Sequence, residues 1–157
     1  MTLVFKYSKG KLKLSSDVLI ILKKYVQDGN RAQEAGGVLI GRFLKENGDV
    51  VIDAVTEPMA GDKRTRYSFY RAKKRHQNII DSFWKESEGT ITYLGEWHTH
   101  PEPIPTPSMI DTSDWLRRLK SDTFSNKLFF IIVGTKEIRC WYGEEAGTTL
   151  HSTISIK

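Results

Sequence analysis

The 157-residue chain is predicted to form one α/β (α+β) domain over residues 1–157, a mixed β-sheet flanked by about three helices. Three observations lead to that class. Short segments of alternating or continuous apolar residues recur along the chain, as strands require. Three longer segments instead carry apolar residues at helical spacing. Gly, Asn, Asp, Ser and Pro clusters separate the two kinds. The length is enough for one sizeable hydrophobic core.

Leu3 to Tyr7 and Lys11 to Leu14 alternate around Gly10 and predict a short hairpin. Ser15 or Ser16 then caps a helix running to about Gln27, with Val18, Ile21, Leu22, Tyr25 and Val26 on one face and Gly29 as its stop. Gly36 to Leu44 and Val50 to Val55 are two strands joined through Asn47-Gly48, a dipeptide that favours tight hairpin turns. After a basic loop, a second helix spans roughly Arg71 to Glu86, where His76, Ile79, Ile80, Phe83 and Trp84 share a face. That spacing makes His76 a packed or edge histidine rather than a ligand. Ile91 to His98 is a strand. Pro101 to Pro107 is an extended loop, because each proline restricts itself and the residue before it. A third helix begins near Ser108 and carries Trp115, Leu116 and Leu119. Leu128 to Val133, Ile138 to Tyr142 and Leu150 to Ile156 supply three more strands.

No apolar run approaches membrane-spanning length and the N-terminus lacks a signal-peptide pattern, so a cytoplasmic location is expected. The single cysteine, Cys140, fits a reducing compartment and a buried, inert role. Net charge is +5, with Lys63, Arg64, Arg66, Arg71, Lys73, Lys74 and Arg75 crowded into one segment. Such a run is usually a solvated helix face, and it is also able to attract an acidic protein surface or nucleic acid. No aromatic-rich RNA motif or helix-turn-helix signature accompanies it, which argues against nucleic acid.

The chemistry concentrates in Gly95-Glu96-Trp97-His98-Thr99-His100-Pro101, continuing to Ser108 and Asp111. Residues two apart on a strand point the same way, so His98 and His100 offer two imidazoles to one ion. Asp111 falls in the first turn of the following helix. Two histidines and a carboxylate suit Zn²⁺, one per chain, with a fourth position open to water; Mn²⁺ and Fe²⁺ share those ligand preferences. Each residue also has a plainer role. Ser108-x-x-Asp111 forms a capping box, and a carboxylate near a helix N-terminus is favourable without metal. A hydrolytic site further needs a general base. Glu34, Glu96 and Glu102 are the candidates. Alternation puts Glu96 on the face of the two histidines, Glu102 lies in the loop, and Glu34 precedes the apolar strand at Gly36.

His98-x-His100, seven residues, Ser108, two residues, Asp111 resembles the signature of the JAMM (JAB/MPN) metalloprotease family. Upstream, Glu34-x-x-Gly37-x-Leu39-x-Gly41 is similar to that family's glutamate segment. The resemblance implies a JAB/MPN-like fold of cytidine-deaminase-like architecture. It implies zinc held by His98, His100 and Asp111, Glu34 as the base, and Ser108 as an oxyanion stabiliser. The reaction implied is hydrolysis of a peptide or isopeptide bond after the C-terminal tail of a ubiquitin-like protein. The run from Gly95 to Pro103, with Pro105, Pro107-Ser108 and Trp115, looks more closely like the stand-alone bacterial JAMM proteins of CBASS antiphage operons. Those act beside an E1/E2-like ligase that attaches the C-terminus of a cGAS-like nucleotidyltransferase to targets. Glu96 departs from the aromatic or small residue of many eukaryotic members. Met59 to Tyr70 is the candidate substrate-contacting loop. The competing readings are a peptidase acting on a sulfur-carrier protein and a non-catalytic scaffold that binds protein partners.

Overall fold

The computed structural model describes residues 2–121, 127–144 and 149–156. Among them, nine strands form one mixed sheet. Near the centre of the sheet lies β7 (Thr92–Thr99), flanked by β3 (Gly36–Phe43) and β8 (Lys127–Val133). Beyond β3 lie β4 (Val50–Val55), β2 (Gly10–Leu14), β1 (Leu3–Tyr7) and β11 (Ile154–Ile156); beyond β8 lie β9 (Ile138–Glu144) and β10 (His151–Ser152). The β7–β8 and β2–β4 pairs are parallel and the others antiparallel.

Helix α1 (Ser16–Lys24) covers one face, where Val18 and Leu22 join Phe5, Leu39, Leu94, Trp97 and Phe129 in the main core. Helices α2 (Lys73–Glu86) and α3 (Met109–Ser121) cover the other. Ile80 of α2 packs on Val38 and Ile40 of β3, while Trp115 and Leu119 of α3 pack on Leu128, Phe130 and Ile132 of β8. Strands β3 and β8 are thus buried on both faces, which explains their nearly continuous apolar runs. Strand β7 lies between the sheet footprints of α2 and α3, so its outward side chains open into the seam between the helices.

Three details differ from the expectation. Helix α1 stops at Lys24 rather than near Gln27. Gln27 is instead drawn inside, where its Nε2 donates to the carbonyls of Ala32 and Arg66 and its Oε1 accepts from Thr99 Oγ1. The basic loop contains a small hairpin of β5 (Lys63–Arg64) and β6 (Phe69–Tyr70). The segment Leu150 to Ile156 is not one strand: β10 pairs with β9 and β11 pairs with β1, with only Thr153 between them. The two ends of the sheet therefore curl toward each other, and Tyr142 Oη donates to Ser8 Oγ at 2.8 Å across the closure. His76 is fully buried as a packed histidine, between Thr56 Oγ1 and the Asp62 carboxylate. No helix among the described residues is long and apolar enough to cross a membrane.

Candidate active site

A one-residue irregularity in β7 aims the site. Leu39 of β3 pairs with Gly95, yet its neighbour Ile40 pairs with Tyr93, so Leu94 is left over as a bulge. A bulge reverses the side-chain alternation beyond it. Leu94 and Trp97 consequently both enter the α1 side of the core, and Glu96 and His98 both face the α2–α3 seam. Gly95 makes this possible: its φ is 137°, and a Cβ there would sit 1.7 Å from the Phe129 carbonyl oxygen.

The histidines and Asp111 then meet. His98 Nε2 and His100 Nε2 are 3.0 Å apart, and Asp111 Oδ2 lies 3.3 Å from the first and 3.1 Å from the second. Asp111 is delivered by the capping box. Ser108 Oγ accepts the Asp111 N–H at 3.1 Å, and the Ser108 N–H donates to Asp111 Oδ2 at 2.9 Å. Cap and candidate ligand are therefore one arrangement rather than alternatives. Burial pushes the Asp111 carboxyl up, but hydrogen bonds from His100 and His98 outweigh it and hold the group well below the usual carboxylate range.

Glu34 arrives from the other side. The Ala35 N–H donates to Thr99 Oγ1 and the Thr99 N–H donates to the Ala35 carbonyl, both at 2.9 Å. That exchange extends the β3–β7 ladder and brings Glu34 to the level of His100. The hairpin fixes the same segment, since the Glu34 N–H donates to Thr65 O and Arg64 Nε donates to Glu34 O. Glu34, His98 and His100 can together offer ligand atoms that all lie within 4.8 Å of one another. Burial raises Glu34 to about 7, against the pull of the His98 and His100 charges. A carboxylate so poised can take and return a proton near neutrality.

The other two candidate bases are otherwise engaged. Glu96 Oε1 accepts from Arg71 at 2.5 Å and from Arg118 at 2.9 Å. Glu102 Oε1 accepts from His100 Nδ1 and from the Thr106 N–H, both at 2.9 Å. Sequence reasoning missed these roles. Arg118 carried a faint signal, because Asp111, Trp115 and Arg118 recur at helical spacing on one side of α3; Arg71 carried none.

All of these groups border a cavity of about 630 Å³ whose rim includes exposed Tyr67 and Tyr70 of the hairpin and exposed Ile110 of α3. The fold resembles that of protein DSY2949 from Desulfitobacterium hafniense, at a TM-score of 0.59 and 18% identity over 88% of this chain and 87% of that one. Residues 23–143 match the prokaryotic homologs of the JAB domain. The chain belongs to this family. A protein of Escherichia coli named CD-NTase/cGAS isopeptidase is 36% identical over 132 residues, covering 84% of this chain and 80% of that protein. One of the same name from Pseudomonas aeruginosa is 39% identical over 123 residues, covering 78% and 77%. Family membership accords with the resemblance drawn from the His98–Asp111 and Glu34–Gly41 motifs.

Proposed function

We propose that this protein is a zinc-dependent isopeptidase that frees the C-terminus of a cGAS-like nucleotidyltransferase from conjugates in bacterial antiphage defence. The observation that carries the reading is Glu34 facing the triangle of His98, His100 and Asp111. Ligand atoms about 2.0–2.1 Å from a tetrahedral zinc lie roughly 3.3 Å apart. The 3.0–3.3 Å triangle fits that spacing with two imidazoles and one carboxylate.

Zinc held by His98, His100 and Asp111 would supply a water of lowered pKa and would polarise the scissile carbonyl. Glu34 takes the proton of the attacking water and passes it to the leaving amine. Ser108 Oγ already accepts the Asp111 N–H, so its own proton is available to donate to the oxyanion. Water oxygen becomes bonded to the carbonyl carbon, the C–N bond breaks, and the products are a C-terminal carboxylate and a lysine amine. The nucleotidyltransferase tail approaches in extended form between the Tyr67–Tyr70 side and the Ile110 side of the cleft. The reaction takes place in the cytoplasm, opposing an E1/E2-like ligase, and residues 1–157 act as one catalytic domain.

The test is cleavage of a lysine peptide joined to the nucleotidyltransferase C-terminus, read by mass spectrometry. Wild-type protein should carry about one zinc per chain, as a three-ligand site implies. It should release an intact C-terminal carboxylate, and Glu34→Ala should retain zinc and release product at least about a hundredfold more slowly. Turnover of a sulfur-carrier conjugate in preference to this one would move the substrate assignment to the carrier.

A further inference from the structure

The catalytic reading leaves one feature unused: an ion cluster in which a single carboxylate holds two guanidinium groups. Arg71 and Arg118 both donate to the same oxygen, Glu96 Oε1. Arg71 and Glu96 have side chains 13% and 15% exposed, and Arg118 is 32% exposed. A purely structural pair would be neutral, whereas this cluster keeps an excess positive charge. Each guanidinium has five N–H donors, so Arg118 presents donors to solvent beyond the one that Glu96 takes.

Position gives the excess charge a use. Arg71 and Arg118 border the metal cavity and also a second cavity of about 670 Å³ beside α2. The lining of that second cavity also includes Lys73 and Lys74, both exposed, with Asp81 as the opposing charge. Its apolar lining is Ile80, Tyr93 and Trp84, the last 46% exposed. An aromatic surface ringed by Arg and Lys fits a peptide in which carboxylates alternate with large apolar side chains. Two of the remaining basic residues, both half-buried, are tied to backbone carbonyls. Arg64 donates to the Glu34 carbonyl and Arg66 to those of Gly29 and Ala32. Three cations of the run, Arg71, Lys73 and Lys74, thus line this one cavity, joined there by Arg118 from α3.

We propose that Arg71, Arg118, Lys73 and Lys74 form a second recognition site, which takes an acidic, aromatic-containing segment of the protein substrate beside the metal cleft. The identity of that partner rests on the isopeptidase reading; the ligand chemistry does not. Glu96 is a positioning residue here, since it fixes both arginines on the wall between the cavities.

The test is fluorescence anisotropy with a fluorescein-labelled peptide alternating Glu and Asp with Phe and Leu. Its controls are the same peptide with Gln and Asn, and a single-stranded DNA of equal charge. The acidic peptide should bind at least about tenfold tighter than the neutral one. The double variant Lys73→Glu/Lys74→Glu and the single variant Arg118→Gln should each lose that preference. Lys73→Arg/Lys74→Arg should keep it, and circular dichroism should show all of them folded. Equal binding of the two peptides, an unaffected charge-reversal variant, or tighter binding of the DNA would overturn the proposal. No bond is cut in this assay, so such a failure leaves the isopeptidase reading standing. Selective peptide binding without conjugate cleavage would support this site and overturn the isopeptidase.

Discussion

Glu102 accepts a hydrogen bond from His100 Nδ1 at 2.9 Å, which fixes that nitrogen as the protonated one and turns Nε2 into the cleft. The carboxylate is itself steadied by the Thr106 N–H. Outer partners of this kind orient a metal-bound histidine, and losing one typically weakens metal affinity about 10–100-fold. Glu102→Ala should therefore weaken zinc binding by that factor in competition with a chromogenic chelator. Unchanged affinity would mean that the His100 ring is held by packing alone.

Metal binding should also release a proton. Burial pulls His100 down, but its hydrogen bonds with Asp111 and Glu102 outweigh this and raise the imidazole to about 9. A raised histidine stabilises the metal-free fold below its ordinary pKa, and the contribution is lost as pH climbs through about 9. Zinc needs the neutral ring, so at pH near 7 it must displace that proton, and affinity should fall about tenfold for each pH unit of acidification below about 9. Calorimetry in buffers of different ionisation enthalpy should count about one proton released per zinc. A buffer-independent heat would mean that His100 is already neutral in the metal-free protein.

Gly95 tests the bulge. An alanine there must adopt a φ of 137° with its Cβ against the Phe129 carbonyl, and the strand can escape only by losing its register. Gly95→Ala should cost about 3 kcal/mol or more in chemical denaturation and abolish stoichiometric zinc binding. Loss of stability with metal binding intact would separate the bulge from the aim of His98.

These residues show how much was legible beforehand. The helices and the strands of the sheet centre were readable, because period and spacing are local, and His98, His100, Ser108 and Asp111 stood in one motif; Glu34 entered only through the family resemblance, since pattern alone gave it no priority over Glu96. The bulge was not legible. Alternation from Glu96 onward holds on either side of it, so the local pattern hides the phase change at Leu94. The division of Leu150–Ile156 was equally hidden, since it depends on the sheet closing and not on the segment. The partners of Glu96 come from the segment just before α2 and from α3, far away in sequence, and only the fold brings them in.

With Glu34 as the base, as proposed, the pH dependence of turnover should follow its titration. Burial lifts its carboxyl to about 7, and the base must be ionised to accept a proton. Activity should thus be low in acid and rise with pH, with an acid limb in kcat/KM. A bound dication favours the carboxylate, so the midpoint should lie at or below about 7 and not above it. An acid limb centred well above 7 would assign the titration to another group.

The last comparison sets Glu34 against Glu96. The two are chemically identical and both border the cleft, but one faces the His98–His100–Asp111 triangle and the other is neutralised by two arginines. Glu34→Ala removes a proton acceptor and should lower kcat by about 10²–10⁴-fold with zinc retained. Glu96→Ala leaves Arg71 and Arg118 facing each other without their shared anion. It should cost about 3 kcal/mol of stability, the scale for breaking a largely buried pair. On a minimal isopeptide substrate its kcat should stay within about tenfold of wild type, because no proton passes through it. If Glu96→Ala instead abolishes turnover and Glu34→Ala spares it, the base is Glu96, and both the charge cluster and the assignment of Glu34 must be read anew.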